Sequence, residues 1–496
     1  MNSSLIVVEI LVALLGLGVL LADLWMPATY RRRLGWIAAG GLAVIFFVGM
    51  KDAAEVAYAF GAPGARTGMY VQDSLGVFFK QFFLLAGILV LIMSVEYSGR
   101  FATGVSEYFS LTLFALLGML FAAGTNDFTL MFAALELITI TFVVLVSFQR
   151  DRASSIEAGV KYLILGATAS AFMVFGIALV FGSAGTTNFN EIAAAQKTLA
   201  SNPIFLVGLV FVLAGLSFKI AAVPFQVWAP DVYQGSPAPT TAFLAVGSKA
   251  AGIVLLLRVL YAAVPTITAQ WHVLFVVIAA LTILYGSLCA IPQRSVKRLM
   301  GYSSIANAGF LLLGIAALSK AGAAAMIYYI AGYLFTVLAA FTVLSVVLAQ
   351  TESDDISTFN GLGQRSPMLA AVLTLSMASL AGVPPLAGFV GKFLLLKSVI
   401  PMATTHPIYL GLLAAAVVGV VISIYYYFGI IRAMYWGGKA GTVAPLTTSW
   451  PVKGALLVCV AGMLWLGILP DTLVQVSTPA VEVLKPELPI KVAVAP

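Results

Sequence analysis

Charge is the scarcest feature of this sequence. Asp, Glu, Lys and Arg make up 9% of its 496 residues, against 61% hydrophobic, and mean hydropathy is +1.06. A soluble surface needs roughly a quarter charged residues, which excludes a water-soluble globular protein. Histidine and cysteine are nearly absent, with two of each. Cys289 and Cys459 stand alone inside apolar segments, so neither a disulfide framework nor a thiolate metal site is expected. His272 and His406 fall near helix ends in different parts of the chain. A haem or metal centre needs several convergent ligands, so the chain is expected to hold no cofactor and no metal and to be redox-silent. Long polar stretches are missing too. Those around 51–73, 183–203 and 433–451 span only about 20 residues each, and chains below about 40 residues rarely fold alone. That excludes a soluble catalytic module between the apolar segments. The net charge of +7 is scattered, with Arg31-Arg32-Arg33 the one basic run, which fits anchoring of membrane loops better than nucleic-acid binding.

What the sequence does have is apolar runs long enough to cross about 30 Å of hydrocarbon. Fourteen recur, at about 5–25, 34–50, 75–95, 107–125, 127–148, 157–182, 204–228, 239–260, 272–291, 299–318, 323–349, 367–399, 408–432 and 452–470. The expected class is an all-α polytopic membrane protein. No basic residue precedes the first run, which reads as a retained helix rather than a cleaved leader. Loop charge sets an expected orientation. The odd-numbered loops carry Arg31, Arg32, Arg33, Arg100, Arg150, Arg152, Arg294, Lys297, Arg298, Arg365, Arg432, Lys439 and Lys453. The even side carries the fewer Lys51, Arg66, Lys197, Arg258, Lys320, Lys397, Lys485 and Lys491. The positive-inside rule puts the odd loops in the cytoplasm and both termini on the outer, periplasmic side.

Two runs are interrupted, the seventh by Pro224 and the twelfth by Pro384-Pro385. Proline removes a donor and clashes with the preceding turn, freeing carbonyls at membrane depth. Such groups persist only where protein or trapped water meets them. One broken helix in each half points to transporters built from inverted repeats. Helices four to eight (107–260) and nine to thirteen (272–432) would form the two five-helix repeats, after helices one to three (1–106) and before helix fourteen and a tail (433–496).

Most ionisable residues have an ordinary explanation. Lys80, Lys161 and Arg258 lie near helix ends and are expected to snorkel to the interface; Asp23 and Asp127 are also terminal. Glu136, Lys219, Lys249 and Lys392 are different. The first three sit mid-segment and the fourth lies past the double proline. Each costs roughly 2.5–3.5 kcal/mol at the bilayer centre. Structural pairing explains Glu136 with Lys219 but leaves two cations over. Burial disfavours the charged form of an amine, so a lysine whose charge depends on its neighbours can take up and release a proton. The pattern points to a proton relay. Ser217, Ser248, Thr240, Thr241, Tyr302, Ser303, Ser304 and Asn307 are candidates to hold ordered water beside it.

At this point four segments carry a resemblance: LSFKIAAVPFQVWAPDVYQGSPAPTTAFLAVGSKAAG (216–252), IEAGVKYLILGATASAFMVFGIALVFGSAGTT (156–187), VKRLMGYSSIANAGFLLLG (296–314) and FNGLGQRSPMLAAVLTLSMASLAGVPPLAGFVGKF (359–393). Together they resemble the subunit-N family of antiporter-like membrane subunits in bacterial respiratory complex I. The likeness spans about 107–400, and WAPDVYQG is its most specific part. It implies 14 helices, two inverted five-helix repeats with discontinuous helices seven and twelve, and residence in the bacterial inner membrane. It also implies assembly with other membrane-arm and peripheral-arm subunits, which hold NADH, FMN, iron–sulfur clusters and quinone. In that family a fifth-helix glutamate pairs with a seventh-helix lysine, an eighth-helix lysine links the halves, and the broken twelfth helix carries the exit-side residue. The matching positions here are Glu136, Lys219, Lys249 and Lys392. Two departures stand out: Gln226 and Asn307 replace histidines usual in the family, and neither can titrate near neutral pH. A cation/proton antiporter subunit of the Mrp type and a non-conducting scaffold of the membrane arm are the alternatives.

Overall fold

The computed structural model describes residues 3–50, 56–61, 67–350, 353–437, 446 and 448–484. Lys51, Arg66, Lys439, Lys485 and Lys491, and the tail from 485 onward, lie outside the described residues. Every apolar run read from the sequence coincides with one helix or with a broken pair. The first helices are α1 (Val7–Ala22), α2 (Arg33–Val48), α3 (Ser74–Tyr97), α4 (Val105–Ala123), α5 (Phe128–Val146) and α6 (Ala153–Ala184). An antiparallel hairpin, β1 (Ala57–Ala59) with β2 (Tyr70–Gln72), precedes α3. The polar stretch at 183–203 contains a short amphipathic helix, α7 (Phe189–Leu199). Its alternation of charge and apolar residues suits a position at the membrane surface.

The seventh run divides into α8 (Pro203–Ile220) and α9 (Trp228–Gly235). The eighth is continuous but irregular: α10 (Ala238–Phe243), a π-helical turn over 244–248, α11 (Lys249–Arg258), and a second π turn over 259–263. After the short α12 (Pro265–Gln270) come α13 (His272–Ala290), α14 (Val296–Ala316) and α15 (Lys320–Ala349). The one-turn α16 (Leu362–Arg365) leads to the broken twelfth run, α17 (Pro367–Ala381) and α18 (Ala387–Ala403). The chain continues through α19 (Ile408–Trp436), α20 (Trp450–Ile468) and the amphipathic α21 (Pro470–Glu482). Among the described residues 12 helical stretches are long and apolar enough to span a membrane, and α2 and α17 are shorter apolar helices.

Local chemistry sets the helix limits. Asp73, Asp127, Asn202, Ser295 and Ser319 each accept a backbone N–H in the first turn of the helix that follows, satisfying a donor the helix cannot. Pro203 and Pro367 open their helices, where a missing N–H is harmless. At both breaks the helix ends in a residue of positive φ, Ala221 at 59° and Gly382 at 88°, and a cis X–Pro bond follows at Pro224 and at Pro385. A register of 161 residues that lays Pro385 on Pro224 lays Gly382 on Ala221 and Leu380 on Lys219.

Helix eight (α10–α11) is wholly buried, and α14 and α15 nearly so; α1, α6 and α19 expose most of their surface. The core therefore runs along helix eight and α14. Small residues let these helices close on their neighbours. A Cβ on Gly252 would meet Ile220 Cγ2 at 2.7 Å, and one on Gly309 would meet the Ile283 backbone nitrogen at 2.6 Å. That is the role expected of the GLSFK, VGSKAAG and GYSSIANAG runs.

Three sequence expectations are corrected. Lys80 does not snorkel. Its side chain is 7% exposed and pairs with Glu9 at 3.0 Å, while Tyr70 donates to the same carboxylate oxygen at 2.6 Å. Arg258 does not snorkel either. It grips Asp73 through two bonds of 2.8 and 3.0 Å and donates to the Ala123 carbonyl. Both partners lie far away in sequence, across the N-terminal helices. His272 and His406, expected apart, meet with ring centroids 5.0 Å apart. Lys161 follows expectation, 42% exposed and bonded to Glu157 and Asp231. Arg100, Arg152 and Lys297 line one polar cavity of about 180 Å³, so three odd-numbered loops gather at one end of the bundle.

Candidate functional site: a column of buried lysines

The site begins where α8 breaks. Lys219 lies in the last turn of α8 and is buried. Its ammonium donates to Thr139 Oγ1 at 2.7 Å and lies 3.5 Å from Tyr162 Oη. Thr139 and Glu136 are three residues apart on α5 and share a face. Half-buried Glu136 accepts a hydrogen bond from Ser170 of α6. Lys219 and Glu136 do not form an ion pair within 4.0 Å among the described residues; the Thr139 hydroxyl, absent from the sequence reading, takes that place. Tyr162, Phe218 and Trp228 pack as an aromatic triad, and the Lys219 ammonium lies 5.9 Å from the Tyr162 ring centroid. Trp228 also reaches back across the break, donating Nε1 to the Phe218 carbonyl at 2.9 Å. Asp231 is held by Lys161 and Arg298. The WAPD part of the specific motif thus closes the broken helix and satisfies a carbonyl freed by it.

Lys249 follows directly after the first π turn of helix eight, a distortion frequent at functional sites. Ser248, which precedes it, turns a buried hydroxyl toward Tyr162. Lys249 Nζ donates to the carbonyl and the hydroxyl of Ser304, both at 2.5 Å. Tyr233 (2.9 Å) and Tyr333 (3.3 Å) bond the same hydroxyl. Further along α14, Ser303 bonds Tyr427, Asn307 donates to Ser303 at 3.4 Å, and Tyr329 donates to Asn307 at 2.6 Å. One turn on, Phe310 presents its ring to Lys392 at 4.7 Å. Lys392 Nζ donates to the Leu380 carbonyl at 2.6 Å, one of the groups left free where α17 ends before Pro384 and Pro385.

The four charges chosen from the sequence thus line one polar column, from Glu136 through Lys219 and Lys249 to Lys392. Ser248, Ser303, Ser304 and Asn307 lie along it. The other expected helpers make different contacts. Tyr302 faces Arg298 and Tyr285 at the helix end. Gln226 lies near Tyr285, and its buried Oε1 has no partner among the described residues. Ser217 uses its carbonyl, accepting from the Ala222 backbone N–H to close the end of α8. Thr240 binds Tyr108, and Thr241 binds Ser236, fastening the start of helix eight. Thr139, Tyr162 and Ser170 were missed. A polar residue at i+3 from Glu136 was the signal available for Thr139 alone.

A bundle with two broken helices and a line of buried lysines is the architecture of ion-translocating membrane subunits. The chain belongs to the NADH:quinone oxidoreductase/Mrp antiporter transmembrane family, whose profile matches residues 125–423. Within it the likeness is to subunit N. The chain is 42% identical to NADH-quinone oxidoreductase subunit N of Moorella thermoacetica over 475 residues, 95% of this chain and 97% of the relative. It is 34% identical over 497 residues to F(420)H(2) dehydrogenase subunit N of Methanosarcina mazei, covering 96% and 98%. Among solved structures, a chain of Thermus thermophilus respiratory complex I superposes with a TM-score of 0.77 at 30% identity, covering 94% of this chain and 98% of that one. A chain of the Dietzia Mrp complex shares the fold, with a TM-score of 0.83 at 19% identity over 97% of each chain.

Proposed function

We propose that this chain is a proton-translocating membrane-arm subunit of an NADH:quinone oxidoreductase of the complex I type, in a bacterial inner membrane. Its partners are the other membrane-arm and peripheral-arm subunits. Those partners hold FMN, iron–sulfur clusters and the NADH and quinone sites, while this chain works as one part of a translocase. The observation that carries the reading is the single column formed by Glu136, Lys219, Lys249 and Lys392.

A signal through the membrane arm moves Glu136 toward or away from Lys219. With the carboxylate near, the ammonium is favoured; with it withdrawn, burial favours the neutral amine and the proton leaves. Tyr162 and Ser248 lie between Lys219 and Lys249, and trapped water bonded to the Ser248 hydroxyl completes that step. From Lys249 the proton follows the Ser304, Ser303 and Asn307 side of α14 to Lys392 and is released on the outer side. Asn307 and Gln226 hold no proton near neutral pH, so transfer runs between lysines by way of hydroxyls and water. In this reading the inverted repeats are 107–260 and 272–432, with one broken helix in each. The odd-numbered loops face the cytoplasm and α1 begins on the outer side.

The test is proton uptake by proteoliposomes holding the whole purified assembly, supplied with donor and quinone, in wild type and Lys219→Ala. Lost uptake with the complex assembled supports the relay; full uptake would leave the four charges structural. Co-purification of NADH dehydrogenase subunits separates this reading from an Mrp-type antiporter.

A further inference from the structure

The only two histidines of the chain take no part in the column, yet the fold brings them together. His272 opens α13, and His406 lies in the turn between α18 and α19. Their ring centroids are 5.0 Å apart with planes inclined at 43°. Both side chains are half-exposed. The backbone fixes each of them. His406 N–H donates to the Met402 carbonyl at 2.9 Å and its carbonyl accepts from Tyr409. The ring of Tyr409 stacks on His272, and its hydroxyl is tied to the Ala316 carbonyl.

The hydrogen bond of His272 decides what that ring can offer. Its Nδ1 lies 3.1 Å from the Ala269 carbonyl oxygen. A carbonyl only accepts, so Nδ1 carries the proton and Nε2 of the neutral ring presents a free lone pair. A backbone carbonyl holding one ring nitrogen is the usual support of a metal-ligating histidine. The ring of His406 has no hydrogen-bond partner among the described residues. An ion bound tetrahedrally by one nitrogen of each ring, at about 2.0–2.1 Å, sets the two centroids about 5 Å apart. That is the separation observed.

We propose that His272 and His406 form a two-imidazole chelate for a divalent transition-metal ion of the zinc class, bridging the start of α13 and the turn before α19. Among the described residues no group of three or more His, Cys, Asp or Glu gathers, so water fills the remaining coordination positions. The ion is therefore an exchangeable ligand and not a resident cofactor. Bound, it ties the first helix of the second half to the α18–α19 turn, beyond the helix that carries Lys392. The proposal stands independently of the relay.

The test uses the whole membrane complex and zinc as the probe. Diethylpyrocarbonate modifies free imidazole, and peptide mass spectrometry reads His272 and His406 separately. Zinc is expected to protect both rings with one midpoint, and magnesium to protect neither. In His406→Ala and His406→Gln, the zinc midpoint for protection of His272 is expected to rise at least about tenfold, because the second ligand acts at high effective concentration. His272→Gln read at His406 gives the reciprocal result if a His406 variant fails to assemble. Three results overturn the proposal: no protection by zinc, a His272 midpoint unchanged by loss of His406, or rings that do not react in the zinc-free wild type.

Discussion

At the first break α8 stops at Ile220, Ala221 turns left-handed, and the lysine lies before the proline. At the second, α17 stops at Ala381, Gly382 turns left-handed, and the lysine lies after it. In the shared register Leu380 takes the place of Lys219, and the carbonyl of Leu380 receives Lys392. The breaks match, but the two ammonium groups are held by different chemistry. Lys219 bonds a side-chain hydroxyl one turn from a carboxylate, so a moving side chain can change its surroundings. Lys392 bonds a backbone carbonyl and faces an aromatic ring, which are fixed features of a helix end. In the proposed relay this contrast makes the first half adjustable and the second a set receiver.

The largest expected effect removes the adjustable member. Lys219→Ala should abolish proton uptake by the reconstituted assembly while subunit composition on native gels stays intact. Next comes the anchor of helix eight. Asp73→Ala leaves Arg258 buried without its carboxylate, and a broken buried pair costs about 3–5 kcal/mol. A markedly lowered melting temperature of the complex is expected, and an unchanged one would refute that anchoring role. Thr139→Ala tests the first half directly. Hydrogen bonds to charged groups contribute about 1.5–3 kcal/mol, so pumping should fall by roughly tenfold or more, and Thr139→Ser should restore most of it. The smallest effect belongs to the second half. Leu380→Ala keeps the carbonyl that receives Lys392, so pumping per electron should stay near wild type despite some loss of packing. A Leu380→Ala defect as deep as that of Thr139→Ala would erase the contrast between the halves.

Much of this was legible in the sequence because membrane insertion enforces simple rules. Hydropathy located the helices, proline located both breaks, and the cost of a midplane charge singled out Glu136, Lys219, Lys249 and Lys392. Contacts between distant segments were not legible. Nothing near Lys80 in sequence announces Glu9, and nothing near Arg258 announces Asp73, so both cations read as interfacial. His272 and His406 stand 134 positions apart, and only the packing of α13 against α19 brings their rings together. Hydroxyls misled for a related reason. Serine and threonine are common in membrane helices, so spacing alone could not separate Ser304, which receives Lys249, from Ser217, whose backbone closes a helix end.

The two π turns of helix eight bracket ten residues, Lys249–Arg258, of regular α-helix. A wide turn at each end shifts the side-chain register, so this piece faces its neighbours at an angle of its own. Lys249 and Arg258 therefore ride on one short rod, about 13 Å apart along its axis. The planar fork of Arg258, seated on Asp73 and the Ala123 carbonyl, fixes the azimuth of that rod. The rotation of the piece that carries Lys249 is thus fixed at its far end by a clamp on the N-terminal helices, 185 residues away in sequence.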